Sequence, residues 1–188
     1  MTPILLELPD HFETERLHIR MPRPGDGVAV YEAVLESIAE LRAWPASLPW
    51  ALHEPSPASS EVYCRTGHSA FLARSDLPML VIRKDSQRLV GATGLHRLNW
   101  SVPRCEVGYW GRQSEHGQGF ITEAVQGITQ FALRQLHMRR VECLTDALNL
   151  PSRRVAERAG FAMEGVMRHE RKAPDGSLRD TCVYAITA

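Results

Sequence analysis

No stretch of this chain approaches the roughly 18 consecutive apolar residues that a membrane-crossing helix needs. The N-terminus offers only a short apolar run at Ile4 to Leu6, with neither a basic leader nor a small-residue cleavage site, so a cytoplasmic protein is expected. Charge of one sign is also lacking. Lys plus Arg number 22 and Asp plus Glu number 22, so no overall field draws the chain to nucleic acid or to an anionic membrane. The short basic runs Arg16 to Arg23, Arg134 to Arg140 and Arg168 to Lys172 read as solvated faces. Cysteine is sparse: Cys64, Cys105, Cys143 and Cys182 lie far apart and form no C-x-x-C pair, which argues against a zinc knuckle or a redox motif and gives no reason to expect a metal. Repeats, low-complexity tracts and an interdomain linker are missing as well. At 188 residues, 44% hydrophobic and 23% charged, the composition fits one soluble domain, residues 1–188, with a substantial core.

What is present is a change of hydrophobic period along the chain. Arg16 to Arg20 alternates Leu17 and Ile19 with polar residues and stops at Met21-Pro22-Arg23-Pro24, which predicts a strand and a turn. Asp26 is placed to cap a helix carrying Val30, Val34, Leu35, Ile38 and Leu41, ended by Trp44-Pro45. Residues 45–57 mix four prolines with Trp50 and His53 and suit an irregular loop, either a pocket wall or a packed connector, before a second helix over about 58–74. The period then becomes two. Leu80 to Ile82, Leu89 to Leu98 and Arg104 to Trp110 predict three consecutive antiparallel strands. A helix follows Gly119, carried by Ile121, Ala124, Val125, Ile128, Phe131, Ala132 and Leu133; a strand at about 140–145 and a short helix from Ser152 to Ala159 come next. Strand, glycine turn, helix and strand make a β-α-β order, and residues 161–172 and 178–186 close the chain as a hairpin.

The turn His116-Gly117-Gln118-Gly119 sits at the start of the strongest helix. Glycine lets backbone approach a ligand, and the free N–H groups and dipole of a helix start favour an anion such as phosphate. Two nucleotide readings weaken against the neighbours. A Walker loop needs Gly-Lys-Ser/Thr after its spacer, and a dinucleotide fingerprint needs a third glycine where Thr122 stands.

Three ordered segments resemble one family: Glu106-Val107-Gly108-Tyr109-Trp110, His116 to Ala124, and Asn149-Leu150-Pro151-Ser152 to Phe161. Their order and spacing are similar to the GNAT N-acetyltransferase superfamily, in particular its RimJ/RimL-like branch. The likeness extends to Phe12 to Arg20 and to Gly176 to Asp180, and is weakest over residues 45–57. One departure stands out: Ser114 occupies the place where the family's phosphate loop often has Gln or Arg.

The resemblance implies an α/β (α+β) fold, a twisted, mostly antiparallel mixed sheet of about six to seven strands flanked by about four helices and splayed at an acyl-CoA site. It implies acetyl-CoA as co-substrate and no metal. Val107 and Tyr109 would offer backbone to the pantetheine arm, His116, Gly117, Gln118, Gly119, Phe120, Ile121 and Thr122 would cradle the phosphates, and Asn149 and Ser152 would orient the arm. Glu106 is implied as the base for the amine, against the alternative of a solvated strand carboxylate, and Ser152 or Tyr109 would serve the departing thiolate. Helix-capping roles remain open for Asn149 and Ser152. Arg153, Arg154 and Arg158 read as solvent-facing.

The implied acceptor is a primary amine, with a protein N-terminus foremost. An α-amine has a pKa near ~8 against ~10.4 for lysine, so its reactive form is about two hundred times more abundant at neutral pH. A small-molecule or antibiotic acetylase, or a non-catalytic acyl-CoA-binding module, are the alternatives. No direct nucleic-acid or membrane partner is expected, and the chain is expected to be a monomer or a homodimer extended through its last strand.

Overall fold

The structure, a computed structural model, describes residues 2–188. Strands β1 (His11–Glu13) and β2 (Leu17–Arg20) form a first hairpin, in which the alternation seen in the sequence buries Leu17 and Ile19 completely. Helices α1 (Gly27–Arg42) and α2 (Pro57–Ala73) follow, then the antiparallel meander β3 (Leu77–Arg83), β4 (Leu89–Asn99) and β5 (Arg104–Gly111). Helix α3 (Phe120–Arg134) crosses to β6 (Arg140–Asp146), which runs parallel to β5. Helix α4 (Leu150–Arg158) and the hairpin β7 (Ala162–Lys172) and β8 (Leu178–Thr187) complete the chain. The sheet order is β1-β2-β3-β4-β5-β6-β8-β7. The fold is therefore mixed α/β, with four helices and a mostly antiparallel sheet.

Among the described residues the sheet has eight strands rather than the six to seven expected. The additional strand, β1, is only three residues long, too short to show a period, and is held by its pairing His11↔Arg20, Phe12↔Ile19 and Glu13↔His18. The last strand is not an edge: β8 lies between β6 and β7, and the sheet is bordered by β1 and β7. Asp26 does not cap α1 with its side chain; its carboxylate instead takes two 2.7 Å bonds from the Arg20 guanidinium and one of 2.7 Å from the Arg23 backbone N–H. Leu35, counted with the apolar face, lies on the exposed side of α1, while Val30, Val34 and Leu41 are buried. Helix α2 is better capped, through a reciprocal pair of bonds between Ser56 and Ser59.

Two apolar layers cover the sheet, one on each face. On β3, Leu77, Met79 and Val81 enter a cluster with Val125, Ile128 and Phe131 of α3, while Leu80 and Ile82 on the other face meet Val30 and Val34 of α1. The same alternation divides β5: Cys105, Val107 and Tyr109 belong to the α3 side, and Trp110 packs on the α1 side. That division places Glu106, Gly108 and Trp110 on the face opposite Tyr109. All four cysteines are buried free thiols, and burial pushes the Cys105 thiol up to about 12, which keeps it protonated. Among the described residues no helix is long and apolar enough to cross a membrane.

Ile128 is completely buried at the centre of the α3 layer. Ile128→Ala is expected to lower stability by about 2–5 kcal/mol, read as a reduced midpoint with unchanged slope in urea denaturation.

Candidate active site

Strands β5 and β6 stay together for three residue pairs only: Arg104↔Arg140, Cys105↔Val141 and Glu106↔Glu142. Beyond Glu106 the two diverge. β5 remains joined to β4 through Gly111, and β6 remains joined to β8 through Asp146. Alternate backbone N–H and C=O groups of residues 107–111 consequently face a gap instead of a neighbouring strand. A cavity of about 1730 Å³ opens there and continues beneath α1, α2 and the loop of residues 43–55. Glu106, Val107, Tyr109, His116, Gly117, Gly119, Phe120, Ile121, Thr122, Asn149 and Ser152 all line it. The structure thus gathers every candidate residue except Gln118, whose carboxamide turns aside and donates to Glu115 at 3.1 Å.

On the α4 side of the gap the Tyr109 hydroxyl donates to the Ser152 carbonyl at 2.8 Å, accepts from the Ser152 hydroxyl at 3.2 Å and lies 3.5 Å from Cys143 Sγ. Burial raises the Tyr109 phenol well above its ordinary range, so it is a neutral donor. Asn149 caps α4, its Oδ1 accepting from the Ser152 N–H at 3.1 Å. That capping bond uses its carbonyl and leaves the amide N–H groups to the cavity.

Glu106 lies across the strand from this cluster, its side chain only 16% exposed and 3.0 Å from Arg97 Nη1. Burial raises its carboxyl above the ordinary value, opposed by the nearby cations of Arg97 and Arg171. A carboxylate that is partly desolvated and faces a cavity has the character of a proton acceptor. This is not the environment of a solvated surface carboxylate.

The glycine turn leads into α3 with Gly117 at φ +76 and Gly119 at φ +81, a left-handed backbone that side chains resist. Gly119 is the N-cap, and no amide from 117 to 122 donates to another group among the described residues. Six N–H groups at a helix start are thereby left for an anion. The turn is fastened from three sides. Arg16 donates to Glu123 at 2.6 Å and to the Gln118 carbonyl at 3.0 Å, and stacks over the Phe120 ring at 4.5 Å. Glu115, nearly buried, receives Arg83 at 3.1 Å and Gln118. Ser114, the departure from the family pattern, donates its N–H to Glu36 of α1 at 2.9 Å and accepts Arg88 at 2.9 Å, so it braces the loop.

Arg16, Glu36, Glu115 and Glu123 were not among the candidates, because each acts through a partner distant in sequence and leaves no local pattern. Arg154 and Arg158, read as solvent-facing, line the cavity, whereas Arg153 is spent on Tyr184 and the Ala147 carbonyl. Among the described residues no group of three or more His, Cys, Asp or Glu side chains is placed to hold a metal ion.

Hydrogen bonds from Ser114, aided by the Arg112 guanidinium 2.7 Å away, hold the Glu36 carboxyl at about 2 against an ordinary 4.5. The folded protein then binds fewer protons than the unfolded chain between those values, so this contribution is complete above pH 4.5 and fades as pH falls toward 2. Urea midpoints measured across that window should fall more steeply for the wild type than for Glu36→Gln, and parallel curves would refute the coupling.

Residues 16–162 match the family model described as the acetyltransferase (GNAT) domain. The ribosomal-protein-serine acetyltransferase of Escherichia coli (strain K12) is 29% identical over 79% of this chain and 82% of its own. The uncharacterized N-acetyltransferase p20 of Bacillus licheniformis is 28% identical, and the chain spans only 59% of its length. Among solved structures, RimL, a ribosomal L7/L12 alpha-N-protein acetyltransferase in complex with coenzyme A, superposes with a TM-score of 0.83 at 21% identity, covering 96% of this chain and 97% of that one. At that identity the likeness is one of fold.

Proposed function

The chain belongs to the acetyltransferase (GNAT) family, and we propose that it transfers an acetyl group from acetyl-CoA directly to a primary amine, a protein N-terminal α-amine being the acceptor class. The observation that carries this reading is the parting of β5 and β6 with a phosphate-ready helix start at its mouth. Residues 107–111 supply a strand edge on which the amide-bearing pantetheine arm can pair, and the free N–H groups of 117–122 suit the pyrophosphate. Arg154 and Arg158, both cavity-lining, add positive charge for the cofactor's remaining phosphate. Together these give the donor an extended seat running from turn to cleft.

Chemistry is then a single displacement without an enzyme-bound acyl group. Glu106 takes a proton from the incoming ammonium on one face of β5. On the other face Tyr109, kept neutral by burial, would turn its O–H from the Ser152 carbonyl to the departing sulfur, with the Ser152 hydroxyl donating to its oxygen. Three carboxylates of the acceptor side face cations: Glu106 faces Arg97 at 3.0 Å, Glu54 faces Arg42 at 2.7 Å and Glu170 faces Arg171 at 3.0 Å. A peptide offers both an amine for the carboxylates and carbonyls for the arginines. Two related proteins are named for ribosomal-protein acceptors, which agrees with this class and with action in the cytoplasm.

The test is release of free CoA thiol on mixing the protein with acetyl-CoA and a panel of peptides and small amines, with products weighed by mass spectrometry. N-terminal peptides should outpace lysine side chains and aminoglycosides. Glu106→Gln should lower kcat roughly 10²-fold or more while still binding CoA; full activity would remove Glu106 from the mechanism. Gly119→Val, which forces a β-branched side chain onto φ +81, should instead weaken CoA binding.

A further inference from the structure

Turning an ammonium into an amide strips two protons from one nitrogen, one before attack and one after it. Glu106 accounts for one of them. On the same face of the sheet, directly opposite Glu106 in the β4–β5 register, stands His96. Its Nδ1 lies 2.7 Å from Asp76 Oδ1, at the junction of α2 and β3. Beside an ionised carboxylate the neutral ring carries its hydrogen on Nδ1, and in that form Nε2 presents a lone pair. Asp76, His96 and Glu106 all line the cavity, and Nε2 has no hydrogen-bond partner among the described residues.

The sheet is shaped to hold this ring. Gly94 and Gly108 face each other across β4 and β5, one step along from the His96–Glu106 pair. A Cβ on Gly94 would stand 2.8 Å from His96 Nε2 and 2.9 Å from Cε1, and one on Gly108 would stand 3.0 Å from both Nε2 and Cδ2. Only a glycine pair lets the imidazole lie down across the two strands, and two facing glycines forgo the cross-strand side-chain contact that stabilises a sheet. The ring so placed forms part of the cavity floor between Glu106 and Trp110. Immediately after it, β4 departs from regular pairing and Arg97 takes φ +50, which brings its guanidinium 3.0 Å from Glu106. The Glu106 carboxylate thus faces a cation, while His96 Nε2 has no hydrogen-bond partner among the described residues.

We propose that the Asp76–His96 pair is the second proton acceptor of the transfer, His96 Nε2 receiving the proton that the amine nitrogen sheds after attack and Asp76 positioning the ring. The proposal rests on the acetyltransferase reading above. In the balanced step, Glu106 removes one proton from the ammonium and the freed lone pair forms the N–C bond to the thioester carbonyl. The C–S bond breaks with its electron pair leaving on sulfur as CoA thiolate, and the remaining excess proton on nitrogen passes to Nε2. The imidazolium is held by Asp76 until the proton returns to solvent.

The experiment measures steady-state turnover of the intact protein with acetyl-CoA and its best amine acceptor, for wild type, His96→Ala, His96→Asn and Asp76→Asn. CoA affinity serves as the check that each variant is folded. His96→Ala should lose roughly 10²-fold or more in kcat with KM nearly unchanged, and added imidazole, entering the space above Gly94 and Gly108, should restore turnover in proportion to its concentration. Asp76→Asn should reduce kcat less, with KM held and no gain from imidazole, because the ring is still present. Wild-type kcat in both His96 variants, or a loss in His96→Ala that imidazole does not touch while CoA affinity is intact, would overturn the role of His96. A wild type that binds CoA yet acetylates no amine would instead overturn the acetyltransferase reading itself, and the two failures are told apart by the wild-type control.

Discussion

The site depends on one decision of the sheet: β5 and β6 release each other after Glu106 and Glu142. Each strand keeps its other neighbour, so the release costs only the hydrogen bonds across the gap and leaves the frame intact. Several contacts hold the gap open. Tyr109 projects from β5 and spans to the Ser152 carbonyl on α4, while Asp146, at the end of β6, is locked by Arg179 at 2.8 and 2.9 Å and by the Leu148 N–H. Helix α4 is thus fixed against both sides of the opening. Unpaired strand edges inside a protein must find partners, and an extended chain bearing amides is the partner whose geometry fits this one.

A cleft of that kind is useful only if its phosphate end is rigid. The glycine turn has no regular structure of its own to hold it, so its position comes from charge-assisted bonds to three separate elements: Arg16 from the start of β2, Arg83 of β3 through Glu115, and Glu36 of α1 through Ser114 and Arg112. Most of these groups are partly exposed, and single ion pairs of that type contribute little to stability. Their joint effect is geometric. They keep the amides of 117–122 pointed into the cleft before any ligand arrives, which lowers the ordering cost of binding.

The donor half was legible in the sequence because its recognition runs through backbone. Glycines at a helix start leave a local mark, and Gly117 and Gly119 are legible from it, whereas Glu106 and the Asn149–Ser152 pair are implied only by the family resemblance. What escaped was non-local. Arg16 and Glu123 are 107 positions apart, and Asp76 and His96 are 20 apart on different elements, so no periodicity announces either pair. β1 escaped for another reason, since three residues cannot display an alternation and the strand exists only through β2. Ser114 departs from the family pattern at a position where the fold turns it toward α1 and Arg88.

The same contrast explains why the acceptor is harder to read than the donor. In the proposed reading CoA would meet main-chain groups whose placement the fold dictates, but the amine would meet side chains on the opposite face of β5, drawn from α1, α2, the loop of residues 43–55 and β7. Trp50, for instance, approaches Trp110 with ring centroids 6.2 Å apart, so part of the cavity wall comes from the Pro- and Trp-rich loop where the family resemblance is weakest. Only the floor is fixed by the sheet itself. There the register sets Glu106 opposite His96 and Gly108 opposite Gly94, and the pleat places all four on one face of the sheet. Under the proposed mechanism proton handling would be written into strand pairing, while the choice among amines would be left to a wall that the sheet does not constrain.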